Sequence, residues 1–212
     1  MNAARSLALI TLGAALALGF SAPREALLKP FSALNPLDDN PAGRLSAGGP
    51  ILASGTESAQ EREQRAMAEF IAKRYRVSQD AVAGFVSAAY RAGSEFSVDP
   101  LLILAVMAVE SKYNPVAESV VGAKGLMQII PKYHLEKLYE HGGEDALLVP
   151  DVNISVGAQI LREYTRRFGG IETALQMYAG AFDEVTSQYS AKVLAERARL
   201  EQVRARLRRQ VA

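Results

Sequence analysis

Apolar residues recur at helical spacing along much of the chain after residue 58. The first two stripes comprise Met67, Phe70, Ile71 and Tyr75, and then Val82, Phe85, Val86, Ala89 and Tyr90. Residues three and four apart share one face of a helix, so each stripe predicts an amphipathic helix, and Ser78 is placed to cap the second. Because no alternation typical of strands competes with this pattern, the predicted fold class is mostly α.

The next segment is apolar on all sides. Residues 101–109, LLILAVMAV, are nine apolar residues without a break. Asp99 and Pro100 before them are typical of an N-cap and a first helical turn. A helix of this kind belongs in the centre of a core, and Asn114-Pro115 predicts that it ends near Lys112.

Three further helices are predicted downstream. A stripe from Ile154 to Phe168 stops at Gly169-Gly170, and a short helix around Glu172 to Tyr178 follows. From about Glu184 to the end, apolar residues at helical spacing lie among many arginines; they are Tyr189, Val193, Leu200, Val203 and Leu207. This pattern favours a surface helix with a charged outer face, and a membrane-surface or partner-binding helix is the alternative.

The N-terminal part has a different composition. In residues 1–22, Arg5 precedes an uncharged run of fifteen residues, SLALITLGAALALGF, which predicts a signal peptide or a membrane anchor. Residues 23–58 hold five of the nine prolines and predict a flexible linker. The predicted folded domain is residues 59–212.

Composition excludes several classes of function. The 24 Lys and Arg against 23 Asp and Glu argue against nucleic acid as a partner. There is no cysteine, which excludes disulfides, thiolate metal sites and thiol nucleophiles. His134 and His141 lie seven residues apart and do not form the usual helical metal pair, so neither a metal nor another cofactor is predicted.

Glu110 is the first candidate for chemistry. It follows the nine apolar residues, at the C-terminal end of the predicted central helix. Desolvation and the negative end of the helix dipole both disfavour the carboxylate, so the pKa of Glu110 should rise. A carboxylic acid that stays protonated near neutral pH can protonate the leaving oxygen of a glycosidic bond. The alternative is a glutamate that only marks where a buried helix emerges into solvent.

Four motifs accompany Glu110. They are Glu110-Ser111, the block SVVGAKGLMQ at residues 119–128, Asn153-Ile154 with Gly157, and ALQMY at residues 174–178. Together they resemble the lytic transglycosylase family of the soluble type (SLT domain, lysozyme-like superfamily), over roughly residues 85–195. The ten-residue block at residues 119–128 is long enough that a chance match is a poor explanation.

The resemblance implies a lysozyme-like helical domain with a cleft, which cleaves the β-1,4 bond between N-acetylmuramic acid and N-acetylglucosamine in peptidoglycan and leaves a 1,6-anhydro end. It implies that Glu110 performs both proton steps and that substrate-binding residues are Ser111, Ser119, Met127, Gln128 and Tyr178. Each has a structural alternative: Ser111 as a cap, Met127 as core, Gln128 as a partner of backbone groups, and Tyr178 as a half-buried aromatic.

The implied partners are peptidoglycan glycan strands, with an inner-membrane tether and an envelope-spanning machinery as further candidates. The implied location is the bacterial periplasm, either soluble after signal cleavage or tethered to the inner membrane.

Two other functions stay open. A lysozyme-type hydrolase needs a second carboxylate; Asp99 lies about 16 Å from Glu110 along the same helix, which is too far, whereas Glu118 in the following loop is a candidate. A peptidoglycan-binding assembly component without catalysis is the third reading, because Ala179 stands where the family usually has an asparagine after the tyrosine.

Overall fold

The computed structural model describes residues 57–180 and 188–211, which form seven α-helices. The helices are α1 (Ala59–Tyr75), α2 (Gln79–Phe96), α3 (Pro100–Glu110), α4 (Leu135–Leu138), α5 (Pro150–Phe168), α6 (Ile171–Tyr178) and α7 (Gln188–Val211). Three short 3₁₀ turns lie between α3 and α5. The described residues contain no sheet, only isolated bridges that join Lys124 to Glu118 and Ile129. The predicted mostly α fold class is confirmed.

Helix starts follow local side-chain chemistry. Ser78 and Asp99 cap α2 and α3 as predicted, because their side chains accept hydrogen bonds from the backbone N–H groups of Ala81 and Leu101. Ser58, the last residue of the predicted linker, instead caps α1 in a reciprocal pair with Glu61. The predicted signal or anchor, and the rest of the predicted linker through residue 56, lie outside the described residues.

Helix α3 is the centre of the core. Every side chain from Leu101 to Ala108 is buried, and the helix packs against α2, α5 and α7. It ends at Glu110, two residues earlier than predicted, because Lys112 and Tyr113 adopt left-handed backbone conformations with φ of 52° and 65°. The Tyr113 hydroxyl donates to the Leu104 carbonyl at 2.9 Å, which fixes this helix end against the core.

The C-terminal helix α7 is part of the core. Val193 and Leu200 are 0% and 3% exposed, and the face that carries them packs along α3 and α1. The predicted helix is confirmed, with Arg206, Arg208 and Arg209 exposed on its outer side. Arg197 on α7 pairs with Asp99 at the start of α3, with Nε and Oδ2 2.5 Å apart. Across the described residues, none of the helices is both long and apolar enough to cross a membrane.

This packing predicts that the buried middle of α7 stabilises the whole domain. Replacing Leu200 by alanine removes buried methyl groups and leaves a cavity, which should lower the free energy of unfolding by about 2–5 kcal/mol. Leu207→Ala, on the same helix but only partly buried, should lower it by less than about 1.5 kcal/mol. Urea unfolding of both variants measures the difference. Equal losses would show that α7 does not pack as described.

Candidate active site

Glu110 lies at the junction of α3 and α7. It is the last residue of α3 and is partly buried. Its Oε1 accepts a hydrogen bond from the hydroxyl of Tyr189, in the first turn of α7, at 2.5 Å. The two residues are 79 positions apart in sequence, so this contact exists only because α7 folds back along α3.

The surroundings of Glu110 shift its acidity toward neutral pH. Burial raises the pKa of Glu110 from its ordinary value of 4.5 to about 7, and the Tyr189 hydrogen bond opposes the shift by favouring the carboxylate. Desolvation is therefore the main cause, in agreement with the sequence prediction. Near pH 7 the acid and the carboxylate are both populated, which suits a group that must donate and then accept a proton.

Two tyrosines lie near this carboxyl group, and only one bonds to it. Tyr178, the predicted site residue, donates instead to the Met127 carbonyl at 2.8 Å. Burial, followed by the nearby charge of Glu110, raises the pKa of the Tyr178 hydroxyl well above its ordinary value. In the sequence, Tyr189 is marked only as a member of the apolar stripe of α7. A side chain with a hydroxyl group on the core-facing side of the helix needs a hydrogen-bond partner, and this was the signal that could have identified Tyr189 as a site residue.

One buried side chain of α5, that of Asn153, holds the loop after α3 by hydrogen bonds to its backbone. Asn153 is fully buried; its Oδ1 accepts from the Met127 N–H at 2.7 Å, and its Nδ2 donates to the carbonyls of Lys124 and Leu147, both at 2.9 Å. Gly125 passes so close that an added Cβ would lie 2.3 Å from Nδ2 of Asn153, and its φ is +75°. A side chain at this position would therefore separate the loop from α5.

The structure places Met127 and Gln128 in different environments. The Met127 side chain is fully buried against Gly157, where an added Cβ would lie 2.3 Å from its sulfur, which corresponds to the core alternative. Gln128 is partly buried with a left-handed backbone, φ 49°, and its amide nitrogen donates to the carbonyls of Ala117 and Gly125. That side chain holds the loop together, and any contact of Gln128 with substrate stays a prediction.

The two predicted serines also support local structure. Ser111 caps the end of α3, where its hydroxyl donates to the Met107 carbonyl at 3.2 Å. Ser119 Oγ accepts from the Ala123 N–H at 3.1 Å, across the turn that carries Gly122. The Ser119 hydroxyl hydrogen can still be donated to a ligand, since this bond uses only the oxygen as an acceptor. Their predicted roles in substrate binding remain predictions.

The two other acidic residues considered from the sequence have different surroundings. Asp99 is at the opposite end of α3 and bonds to Arg197, while Glu118 is exposed in the loop. Among the described residues, no second carboxylate contributes to the pKa shift of Glu110. In the same part of the chain, no three His, Asp or Glu side chains lie close enough together to hold a metal ion.

The same region matches a known protein family. The family model described as "Transglycosylase SLT domain" matches residues 87–198, which contain α3, the loop, α5, α6 and the first half of α7. The chain belongs to this family.

Several relatives in the family are lytic transglycosylases. The transglycosylase of Enterobacteria phage PRD1 is 35% identical over 108 residues, which cover 49% of this chain and 39% of the phage protein. The endo-type membrane-bound lytic murein transglycosylase A of Klebsiella pneumoniae is 40% identical over 77 residues, which cover 34% of this chain and 38% of that protein. The soluble lytic murein transglycosylase of Escherichia coli K12 is 35% identical over 85 residues, which cover 38% of this chain and 13% of that protein. The chain thus spans at most about two fifths of these relatives.

One solved SLT-family structure is similar as well. It is an inactive glutamate-to-glutamine mutant of the lytic transglycosylase Slt from Pseudomonas aeruginosa, 25% identical in sequence with a TM-score of 0.49. The likeness covers 55% of this chain and 24% of that one.

The geometry predicts that Tyr189 tunes the acidity of Glu110. Replacing Tyr189 by phenylalanine removes a hydrogen bond that stabilises the carboxylate, so the pKa of Glu110 should rise above about 7. A hydrogen bond to a charged group is worth about 1.5 kcal/mol or more, which corresponds to a rise of roughly one unit. Carbon-13 NMR titration of the glutamate carboxyl groups measures it, with Glu110→Gln assigning the signal.

Tyr178→Phe is the matched control, because its hydroxyl bonds to the Met127 carbonyl and not to Glu110. It should shift the pKa of Glu110 less than Tyr189→Phe does. An unchanged or lower pKa in Tyr189→Phe would contradict the role assigned to this bond.

Proposed function

We propose that this protein is a peptidoglycan lytic transglycosylase that cleaves the β-1,4 bond between N-acetylmuramic acid and N-acetylglucosamine and leaves a 1,6-anhydro end. The observation that carries the proposal is the environment of Glu110: a partly buried carboxyl group with its pKa near 7, held by Tyr189. A group poised in this way can act as acid in one step and as base in the next.

The reaction can be written with Glu110 alone. Its carboxylic acid donates a proton to the glycosidic oxygen, and the bond from that oxygen to C1 of the muramic acid breaks. The resulting carboxylate then takes the proton from the C6 hydroxyl of the same muramic acid, and O6 bonds to C1. Glu110 ends protonated, and no water is consumed. The Tyr189 hydrogen bond stabilises the carboxylate between the two steps.

The two alternatives differ in what they require. A hydrolase must activate water with a second carboxylate, for which Glu118 is the sequence candidate, yet Glu118 is exposed and contributes nothing to the pKa shift of Glu110. A binding component without catalysis is motivated by Ala179, which ends α6 and has no side-chain amide to offer a sugar. Product analysis separates all three functions.

The test is to incubate the full chain with purified peptidoglycan and to identify the released fragments by mass spectrometry. Fragments with 1,6-anhydro ends, one water lighter than hydrolysis products, are expected. Glu110→Gln should reduce their release roughly 100-fold or more, whereas Glu118→Gln should not. Release should also fall as pH rises through about 7, because the protonated acid is lost.

Either alternative gives a different result. Fragments with added water that require Glu118 would establish the hydrolase. A folded protein that sediments with the cell wall but releases nothing that depends on Glu110 would establish the binding role.

We further propose that the chain acts in the bacterial periplasm, soluble or tethered to the inner membrane. The support is the pattern of residues 1–22, with Arg5 before fifteen uncharged residues. Residues 1–58 fused to a β-lactamase without its own signal should confer resistance, and the same fusion without residues 2–22 should not. A mature N-terminus near residue 22 or 23 would establish cleavage, and an intact one would establish a tether. Absence of resistance would contradict export.

A further inference from the structure

A basic groove is formed at the helix end that carries the proposed catalytic glutamate. It is a concavity of about 570 Å³ formed where the C-terminal ends of α1 and α3 meet one face of α7. The residues that matter here are Arg74, Tyr75, Lys112, Lys192, Glu196 and Arg199. The matched family segment is residues 87–198, so Arg74 and Arg199 lie outside it.

The groove has an excess of positive charge. Its four basic side chains face a single carboxylate, that of Glu196, which leaves a formal net charge of +3. Glu196 accepts hydrogen bonds from both arginines, at 3.3 Å from Arg74 and 2.5 Å from Arg199. Within the described ranges, Lys112 and Lys192 are both exposed and neither forms an ion pair with an acidic residue. No carboxylate of the described residues neutralises either ammonium group.

A structural explanation accounts for only part of this arrangement. Basic residues at the C-terminal ends of helices interact favourably with the helix dipole, and this applies to Arg74 on α1. Lys112 differs, because it follows the helix end in a left-handed backbone conformation and is followed by Tyr113 in another. Two successive left-handed residues that are not glycine are unfavourable and tend to occur at functional sites.

The backbone conformation at Lys112 is fixed from both sides. The buried Tyr113 hydroxyl bonds to the Leu104 carbonyl, and its ring packs edge to face on Tyr75 with centroids 5.1 Å apart. Tyr75 itself lines the groove. The wall of the basic groove is thus built on the same helix end that carries Glu110.

The groove and the catalytic carboxyl group are built on the same two helices, α3 and α7. Lys112 follows Glu110 by two residues, and Lys192 follows Tyr189 by three, a rise of about 5 Å along α7. Glu110 and the groove thus share the C-terminal end of α3, from which the substituents of a polymer bound at Glu110 would extend. On a peptidoglycan strand these substituents are peptide stems, which carry several carboxylates each.

We propose that the basic groove binds the carboxylates of the peptide stems, so that the enzyme prefers peptide-substituted strands over bare glycan. This inference rests on the proposed function and specifies its substrate. Lys112 and Lys192 provide charges that no described carboxylate pairs with, while Arg74 and Arg199 both pair with Glu196.

The test compares cleavage of two substrates, peptide-bearing strands and strands whose peptides have been removed by an amidase. The wild type should show a kcat/KM about tenfold higher on peptide-bearing strands, the size that two exposed charge contacts give. The double variant Lys112→Gln, Lys192→Gln should lose this preference through KM and cleave bare strands as the wild type does. Added salt at 0.5 M should have the same effect on the wild type.

Two further measurements keep the result interpretable. Arg166→Gln on α5, an exposed cation away from the groove, should leave the preference intact. Lys192→Gln alone should reduce it by about threefold, which guards against a local effect of Lys112 on Glu110.

Each outcome decides one point. If the double variant keeps the preference, or loses activity equally on both substrates, the groove does not bind peptide stems. If the double variant keeps the preference for peptide-bearing strands and also loses binding to vesicles of anionic lipid, the groove binds a membrane surface instead. If the wild type cleaves neither substrate, the proposed function fails; binding of peptide-bearing strands in a sedimentation assay, weakened by the lysine substitutions, would then still establish the groove.

Discussion

The hydrogen bond between Tyr189 and Glu110 is the contact on which the site depends. It joins the last residue of the buried helix α3 to the first turn of α7, and it exists only if α7 runs back along α3. A second contact, between Arg197 and Asp99, ties the same two helices at the other end of α3. Two ties at opposite ends of one helix fix the register of α7, so the position of the Tyr189 hydroxyl follows from the packing of the whole core.

The other side of the site is held by a backbone that passes unusually close to α5. Asn153 provides both the acceptor and the donors for three backbone groups, two of them in the loop after α3, and Gly125 and Gly157 leave the room that this closeness requires. An apolar residue at position 153 would leave those buried polar groups without partners, which is unfavourable by about 1–3 kcal/mol for each. The loop is therefore a rigid element, and the carboxyl group meets a surface set before any ligand arrives.

Much of the fold could be predicted from the sequence because its signals are local. The caps at Ser78 and Asp99, the stop at Gly169-Gly170 and the central position of residues 101–109 each follow from a few neighbouring residues. The raised pKa of Glu110 could be predicted for the same reason, since burial follows from the apolar residues before it. The Ser58 cap was equally local, but composition assigned that residue to the linker.

The contacts that could not be predicted join residues far apart in the sequence. Periodicity predicted which face of α7 is apolar but not that its first tyrosine meets a carboxyl group 79 residues earlier. No local pattern predicts that the Gln128 amide donates hydrogen bonds to two carbonyls of the loop. Nor does one predict that Arg74 and Lys112 line a groove together with residues of α7. These contacts depend on how separate helices pack, and the helical pattern of one segment contains no information on its partner.

The basic groove and the acidic site share the C-terminal end of α3, and burial rather than the lysines sets the acidity of Glu110. A cation near a carboxyl group normally lowers its pKa, yet among the described residues neither Lys112 nor Lys192 contributes to the shift of Glu110, where burial dominates. Both lysines are exposed, and water and salt reduce their field within about 8 Å, whereas the carboxyl group is packed between α3 and α7. Because neither lysine contributes to this shift, positive charge in the groove is compatible with the protonated acid that cleavage needs.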